Sequence, residues 1–123
     1  MKVSELKGAD LDWAVAKAAN WSVVINDGLI YEVFQPDSYN IDDLHNCQHI
    51  SPSTDWAHGG PIIELEIIGL DYDAADGWQA RDFDTQKITA TGPTPLIAAM
   101  RCYVASKLGE EVEIPAELQG ELV

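Results

Sequence analysis

Three places in the chain put reactive or charged side chains at spacings that chemistry could use. In HNCQH, His45, Cys47 and His49 alternate. On an extended segment alternate residues share a face, so all three would point one way, with His58 or Asp55 completing a tetrahedral zinc shell. Structural zinc sites draw ligand pairs from two separated places, whereas here the ligands crowd together and the fourth is remote. The spacing therefore reads as a polar loop with solvated histidines, and no metal is expected. The second place is SPSTDWAHGGP, residues 51–61. Ser53 suits a helix N-cap, and Thr54 and Asp55 suit the first turn. Pro61 opposes that helix: inside it, proline forfeits the bond to Ala57 and costs about 3 kcal/mol, and Gly59 and Gly60 add roughly 1 kcal/mol each. Either a helix from Ser53 kinks at the glycines, or Pro61 is the first helical residue and the amides near Gly59 and Gly60 face a possible anion. The lysine and hydroxyl of a P-loop are missing, so structural punctuation is the default. The third place is Arg101, which interrupts the apolar run PLIAAMRCYVA. An arginine there must snorkel outward or meet a carboxylate, for which Asp55 and Glu64 are the natural partners.

Catalytic machinery is not visible. There is no G-x-S-x-G elbow, and neither Cys47 nor Cys102 sits in a nucleophile's context. Asp42 with Asp43, or Asp71 with Asp73, arise readily in an acidic background, and nothing marks a sheltered cleft around them. No catalytic residue and no cofactor are expected. The residues left for contact with a ligand or partner are Ser53, Thr54, Asp55, Trp56, Gly59, Gly60, Trp78, Arg81, Thr94 and Arg101. Trp56 and Trp78 read first as core aromatics.

Charge narrows the partners. Twenty-one acids face seven bases, for a net of −14. Between Lys17 and Arg81 there is no Lys or Arg, and that gap holds eleven carboxylates. Such a surface repels phosphate backbones and anionic headgroups, so neither direct nucleic-acid binding nor membrane binding is expected. Solubility alone accounts for it; the sharper option is a surface that imitates DNA and occupies a DNA-binding protein. No apolar run is long enough to span a bilayer, and the start MKVSELKGAD has no apolar core of a secretory signal. Two free thiols in a reducing cytoplasm follow.

The elements that must position these residues are legible. ADLDWAVAKAA places Leu11, Ala14, Val15 and Ala18 on one helical stripe ending near Asn20. WSVVI, the three-residue loop NDG and LIYEVF read as a hairpin, with Leu29, Tyr31 and Val33 on one face. Residues 35–52 read as loop with one helical turn near 42–46. Beyond it, IIELEIIGL carries a helical stripe of Trp56, Gly60, Ile63 and Ile67. WQARDF and KITAT are short strands. The last helix is capped by Thr94, starts at Pro95 and closes at Gly109, with Leu96, Met100, Tyr103 and Val104 as its main stripe. Its second apolar face allows a homodimer. The acidic tail offers one short edge strand. The pattern predicts one α+β domain over residues 1–123, a small antiparallel or mixed sheet with helices packed on it.

DLDWAVAKAA, PSTDWAHGGPIIE, GWQA and GPTPLIAAMRCYVASKLGEEVEIP together resemble the NinX-like proteins of lambdoid phages and prophages. The spacing S-T-D, W-x-A, T-P-L-x-A-x-x-R is also similar to a broader phage domain described as an α–β–α sandwich. HNCQH and its surroundings find no counterpart in either pattern. The resemblance implies that Ser53 opens a helix opposite the one bearing Arg101. It also implies production in the cytoplasm of an infected or lysogenic bacterium from an accessory gene region, and it implies no particular activity. Together these expectations describe a non-enzymatic accessory protein that binds a host or phage protein. The alternative is a small-molecule binder, for instance of a nucleotide, with a pocket near Asp55 and Arg101.

Overall fold

The computed structural model describes residues 1–33 and 47–119. After a 3-10 turn at Val3–Glu5 come α1 (Gly8–Ala18), β1 (Val23–Asn26), β2 (Leu29–Val33) and β3 (Cys47–His49). The chain continues through α2 (Trp56–Glu66), β4 (Gly69–Asp73), β5 (Gly77–Arg81), β6 (Ile88–Gly92), α3 (Pro95–Leu108) and α4 (Ala116–Gln119). The class is α+β, and the expected small sheet is two: antiparallel meanders β1-β2-β3 and β4-β5-β6. Helix α1 packs on β2 and on α3, while α3 packs on β5 and β6, so the helices lie between the sheets.

Local chemistry explains the joints. Asn26 pairs with Leu29, so the hairpin loop is only Asp27-Gly28, one residue shorter than expected. Both turn residues have positive φ, 54° and 74°, which gives the primed turn whose twist matches the strands. On β2 both Ile30 and Val33 are buried, Ile30 joining Ala16 and Ile50 in a small apolar cluster, while Leu29 faces solvent. The Cys47–His49 stretch is a strand and not a loop: Tyr31 pairs with His49 and Val33 with Cys47. The helical turn expected near 42–46 lies outside the described residues.

α3 is the centre of the main core. Thr94 Oγ1 accepts from the Ile97 N–H at 3.1 Å, Pro95 takes the first helical position, and Gly109 closes the helix. Leu96, Ala98, Ala99, Met100, Cys102, Tyr103 and Val104 are all buried, so the helix is covered on more than one side within the chain. Part of that cover comes from α1, which packs along α3. Gly92 permits the strand to run close beneath, since a Cβ there would lie 2.8 Å from the Ala98 amide nitrogen. At the periphery, the Val3 N–H donates to Glu110 O and the Val112 N–H to Met1 O, so the tail pairs with the N-terminal segment. Cys47 and Cys102 are free thiols; burial pushes Cys102 up to about 11, which keeps it an inert core group.

Candidate functional site: the start of α2 and its apolar cleft

The block 51–61 resolves into a helix that runs through its proline. Asp55 caps α2, its Oδ1 accepting from the Ala57 N–H at 2.9 Å. Ser53 is therefore not the cap. It is buried, and its N–H donates to Asp12 Oδ1 of α1 at 2.8 Å. The helix that follows does lie against the one bearing Arg101, as the resemblance implies, while Ser53 itself ties to α1. Pro61 lies inside α2, and Gly60 makes that tolerable: proline's ring clashes with the Cβ of a preceding helical residue, and glycine has none. Gly59 has a different task. A Cβ there would overlap Pro52 O and come within 2.7 Å of Leu96 Cδ2, so glycine is what lets α2 seat against α3. His58 Nδ1 accepts from the Ser51 N–H at 3.0 Å, which puts the ring proton of the neutral imidazole on Nε2. Asp55 Oδ2, 3.9 Å from that nitrogen, is too far for a hydrogen bond.

Between the first turns of α2 and α3 lies a cleft of about 220 Å³, lined by Ser53, Thr54, Trp56, Thr94, Pro95, Leu96 and Ile97. Four expected residues, Ser53, Thr54, Trp56 and Thr94, therefore come together. Asp55 sits between them in sequence, and Gly59 is buried. Trp56 is 53% exposed, which corrects its reading as a core residue. The walls are mainly apolar, and both cap side chains are already occupied by their own helix amides. That chemistry suits an apolar group more than an anion.

The remaining expected residues lie elsewhere. Among the described residues Arg101 meets no carboxylate: its Nε donates to Leu6 O at 2.8 Å and its Nη1 to Thr91 O at 2.9 Å. Burial draws its pKa below the ordinary value. It lines a separate cleft of about 320 Å³ with Lys2, Ser4, Thr89, Glu110 and Glu111. The single pocket expected near Asp55 and Arg101 is therefore two clefts. The two carbonyls account for Arg101 physically, since one belongs to the N-terminal segment and the other to β6, and the guanidinium ties them together. Arg81 forms an exposed pair with Asp71 at 2.6 Å. Trp78 is half-buried on β5, with Tyr72 edge-on at 5.3 Å between ring centroids.

Three features escape the sequence patterns. Asp12 is one: it is buried, and burial raises its carboxyl above the usual range, opposed in part by the bonds from Ser53. A polar residue among Leu11, Ala14 and Val15 is the available signal, although a helix-dipole role explains it equally well from sequence. The orientation of α2 is the second. Of the expected stripe only Ile63 packs against the core; the buried positions are Gly59 and Ile62, leaving Trp56 53% and Ile67 58% exposed. The third is the helix end. Ile67 closes α2 in the left-handed region at φ 53°, and the Ile68 N–H reaches back to Ile63 O at 3.1 Å. This is the reverse turn that glycine normally supplies; a β-branched residue there is strained by about 1–3 kcal/mol.

Electrostatically the surface keeps the character of its composition. Asp27, Asp55, Glu64, Asp71, Asp73 and Asp76 are all exposed. Two cations are spent on acids of α2 and β4, Lys107 on Glu66 at 3.4 Å and Arg81 on Asp71. Among the described residues no three or more His, Cys, Asp or Glu side chains are placed to share a metal. Cys47 and His49 lie on β3, while His45 lies outside the described residues. No helix among the described residues is long and apolar enough to cross a membrane.

Fold and surface together define a small acidic α+β protein with an exposed apolar helix face. The family model for NinX of bacteriophage P22 matches residues 2–107, and the chain belongs to that family. It is thus a phage accessory protein, as the quoted motifs imply. No curated protein matches the chain at a significant level.

Proposed function

We propose that this NinX-family chain is a non-enzymatic accessory protein. It works in the cytoplasm of an infected or lysogenic bacterium by binding a host or phage protein. The observation that carries this reading is the exposed acidity: six carboxylates between Asp27 and Asp76, spread over both sheets and α2, open to solvent in a stretch without a single Lys or Arg. Such a surface steers a basic protein surface, including the DNA-binding surface of a protein it would mimic DNA to occupy. A nucleotide-sequestering role has less support, because the pocket it requires is divided and, among the described residues, no Lys or Arg lines the apolar cleft.

Affinity capture from infected cells tests the proposal. The bait is the full chain or a variant with Glu64→Gln, Asp73→Asn and Asp76→Asn, which removes exposed charge with little change in shape. A specific protein partner is expected, held at low salt and released steeply as salt rises. The neutralised bait, verified as folded by circular dichroism, should hold it about tenfold less tightly, equivalent to roughly 1.4 kcal/mol. Recovery of no specific partner, or of one indifferent to both salt and neutralisation, refutes the reading.

A further inference from the structure

Most of α2 is apolar, yet only one side of it is buried. Gly59 and Ile62 face the core, with Ile63 packed at its edge, while Trp56, Gly60 and the outer side of Ile63, spaced four and three apart, form a second stripe that Ile67, just past the helix end, adjoins. Trp56 is 53% and Ile67 58% exposed, with Gly60 and Ile63 half-buried between them. Leu65, 80% exposed, stands to one side. A helix serving only as scaffold would carry polar residues here.

Two further observations bear on its use. The first is strain at Ile67. Its φ of 53° is glycine's territory, and its side chain is more exposed than buried, so the residue gains little from packing in this chain. An isoleucine kept in that conformation and turned outward is explained by a contact outside the molecule. The second is charge. Asp55 caps the helix at the Trp56 end, Glu64 lies beside the stripe, and Asp71 and Asp73 follow Ile67 on β4, all exposed. The nearby cations Lys107 and Arg81 are already paired. An apolar strip with an acidic rim complements an apolar strip with a basic rim. A second copy of this chain would set carboxylates against carboxylates.

We infer that the stripe of Trp56, Gly60, Ile63 and Ile67 is a docking face for an apolar helix of another protein, flanked by Lys or Arg. Gly60 at its middle allows close approach. The cleft beside Trp56, walled by Pro95, Leu96 and Ile97, takes one apolar side chain at the end of the seat. The inference rests on the protein-binding reading and specifies the partner's chemistry at this surface.

The probe is a pair of synthetic amphipathic helical peptides sharing one leucine stripe, one flanked by lysines and the other by glutamates. Binding is followed on the tryptophan indole N–H signals by NMR, with Trp56 assigned through Trp56→Phe. The lysine-flanked peptide is expected to shift the Trp56 signal and to bind at least tenfold more tightly than its glutamate counterpart. Ile67→Gly should raise the unfolding temperature by relieving strain and yet weaken the lysine-flanked peptide about tenfold. That opposition separates a docking role from a structural one. Equal binding of both peptides, or undiminished binding to Ile67→Gly, overturns the inference. So does a dimer in sedimentation velocity that Ile67→Gly dissociates, because the occupant is then a second copy. A salt-sensitive cellular partner held equally by Ile67→Gly sinks the docking face and leaves the acidic-surface reading standing. Absence of any cellular partner sinks that reading.

Discussion

Replacing Asp12 probes the junction that holds the start of α2 in place. Its Oδ1 accepts the Ser53 N–H at 2.8 Å, with Asp12 5% and Ser53 1% exposed. Asp12→Ala strands a buried donor, which costs about 1–3 kcal/mol. It also relieves the desolvation of a buried charge, so a net loss near 2 kcal/mol at neutral pH is expected. Asp12→Asn keeps an acceptor for Ser53 and removes the charge; it should lose less than 1 kcal/mol or gain slightly. The pH dependence distinguishes the terms. Burial raises the Asp12 pKa, so between its unfolded and folded values the native state binds more protons than the unfolded state. Stability contributed by this group is therefore present at low pH and lost as pH rises through the folded value. Relative to Asp12→Asn, the parent protein should grow less stable as urea unfolding is repeated from about pH 4 towards pH 7. His49 and His58 are the charged-when-protonated groups facing Asp12, and both variants retain them. A parent that gains stability over Asp12→Asn as pH rises would show that the ionised carboxylate stabilises the fold, refuting the dominance of desolvation.

Other substitutions separate packing from propensity. Gly59→Ala should destabilise by about 1–3 kcal/mol in thermal unfolding despite alanine's better helix propensity, because its Cβ overlaps Pro52 O. Pro61→Ala should stabilise by roughly 1–3 kcal/mol by restoring an amide donor towards Ala57, and no gain would mean that the helix is not continuous through residue 61. Arg101→Lys, measured by urea unfolding, should cost about 1–3 kcal/mol, since an ammonium cannot reproduce the fork that reaches Leu6 O and Thr91 O. Cys102 should react with a thiol reagent only on unfolding, whereas half-buried Cys47 reacts in the native protein.

How far the sequence foretells this molecule depends on whether the deciding force is local. Thr94, Pro95 and Gly109 mark α3 because capping is settled within a few residues. The hairpin at Asp27-Gly28 is visible for the same reason, while its exact loop length depends on which pair closes it. The partner of Arg101 is illegible. Nothing in residues 95–108 announces that Leu6, far away in sequence, and Thr91, ten residues back on β6, will present carbonyls at that point. The Ser53 tie to Asp12 is likewise a long-range event disguised as a local N-cap signal. β3 is missed because two polar residues and a cysteine become a strand only when β2 supplies an edge to pair with.

The misorientation of α2 is more instructive, since periodicity reports that an apolar stripe exists and not which way it points. Two stripes compete on this helix. Gly59 and Ile62 win the interior because only glycine can pass beneath Pro52 and Leu96, a constraint of backbone contact that hydrophobicity does not encode. The stripe bearing the larger side chains, Trp56 and Ile67, is consequently turned outward. Burial of those two groups within the chain would stabilise by about 1.5–3 kcal/mol for an isoleucine alone, yet the fold leaves them exposed and accepts a strained αL residue besides. A helix that leaves Trp56 and Ile67 outside its own core, inside an acidic rim, has the chemistry that the proposed docking of a basic-flanked apolar helix requires.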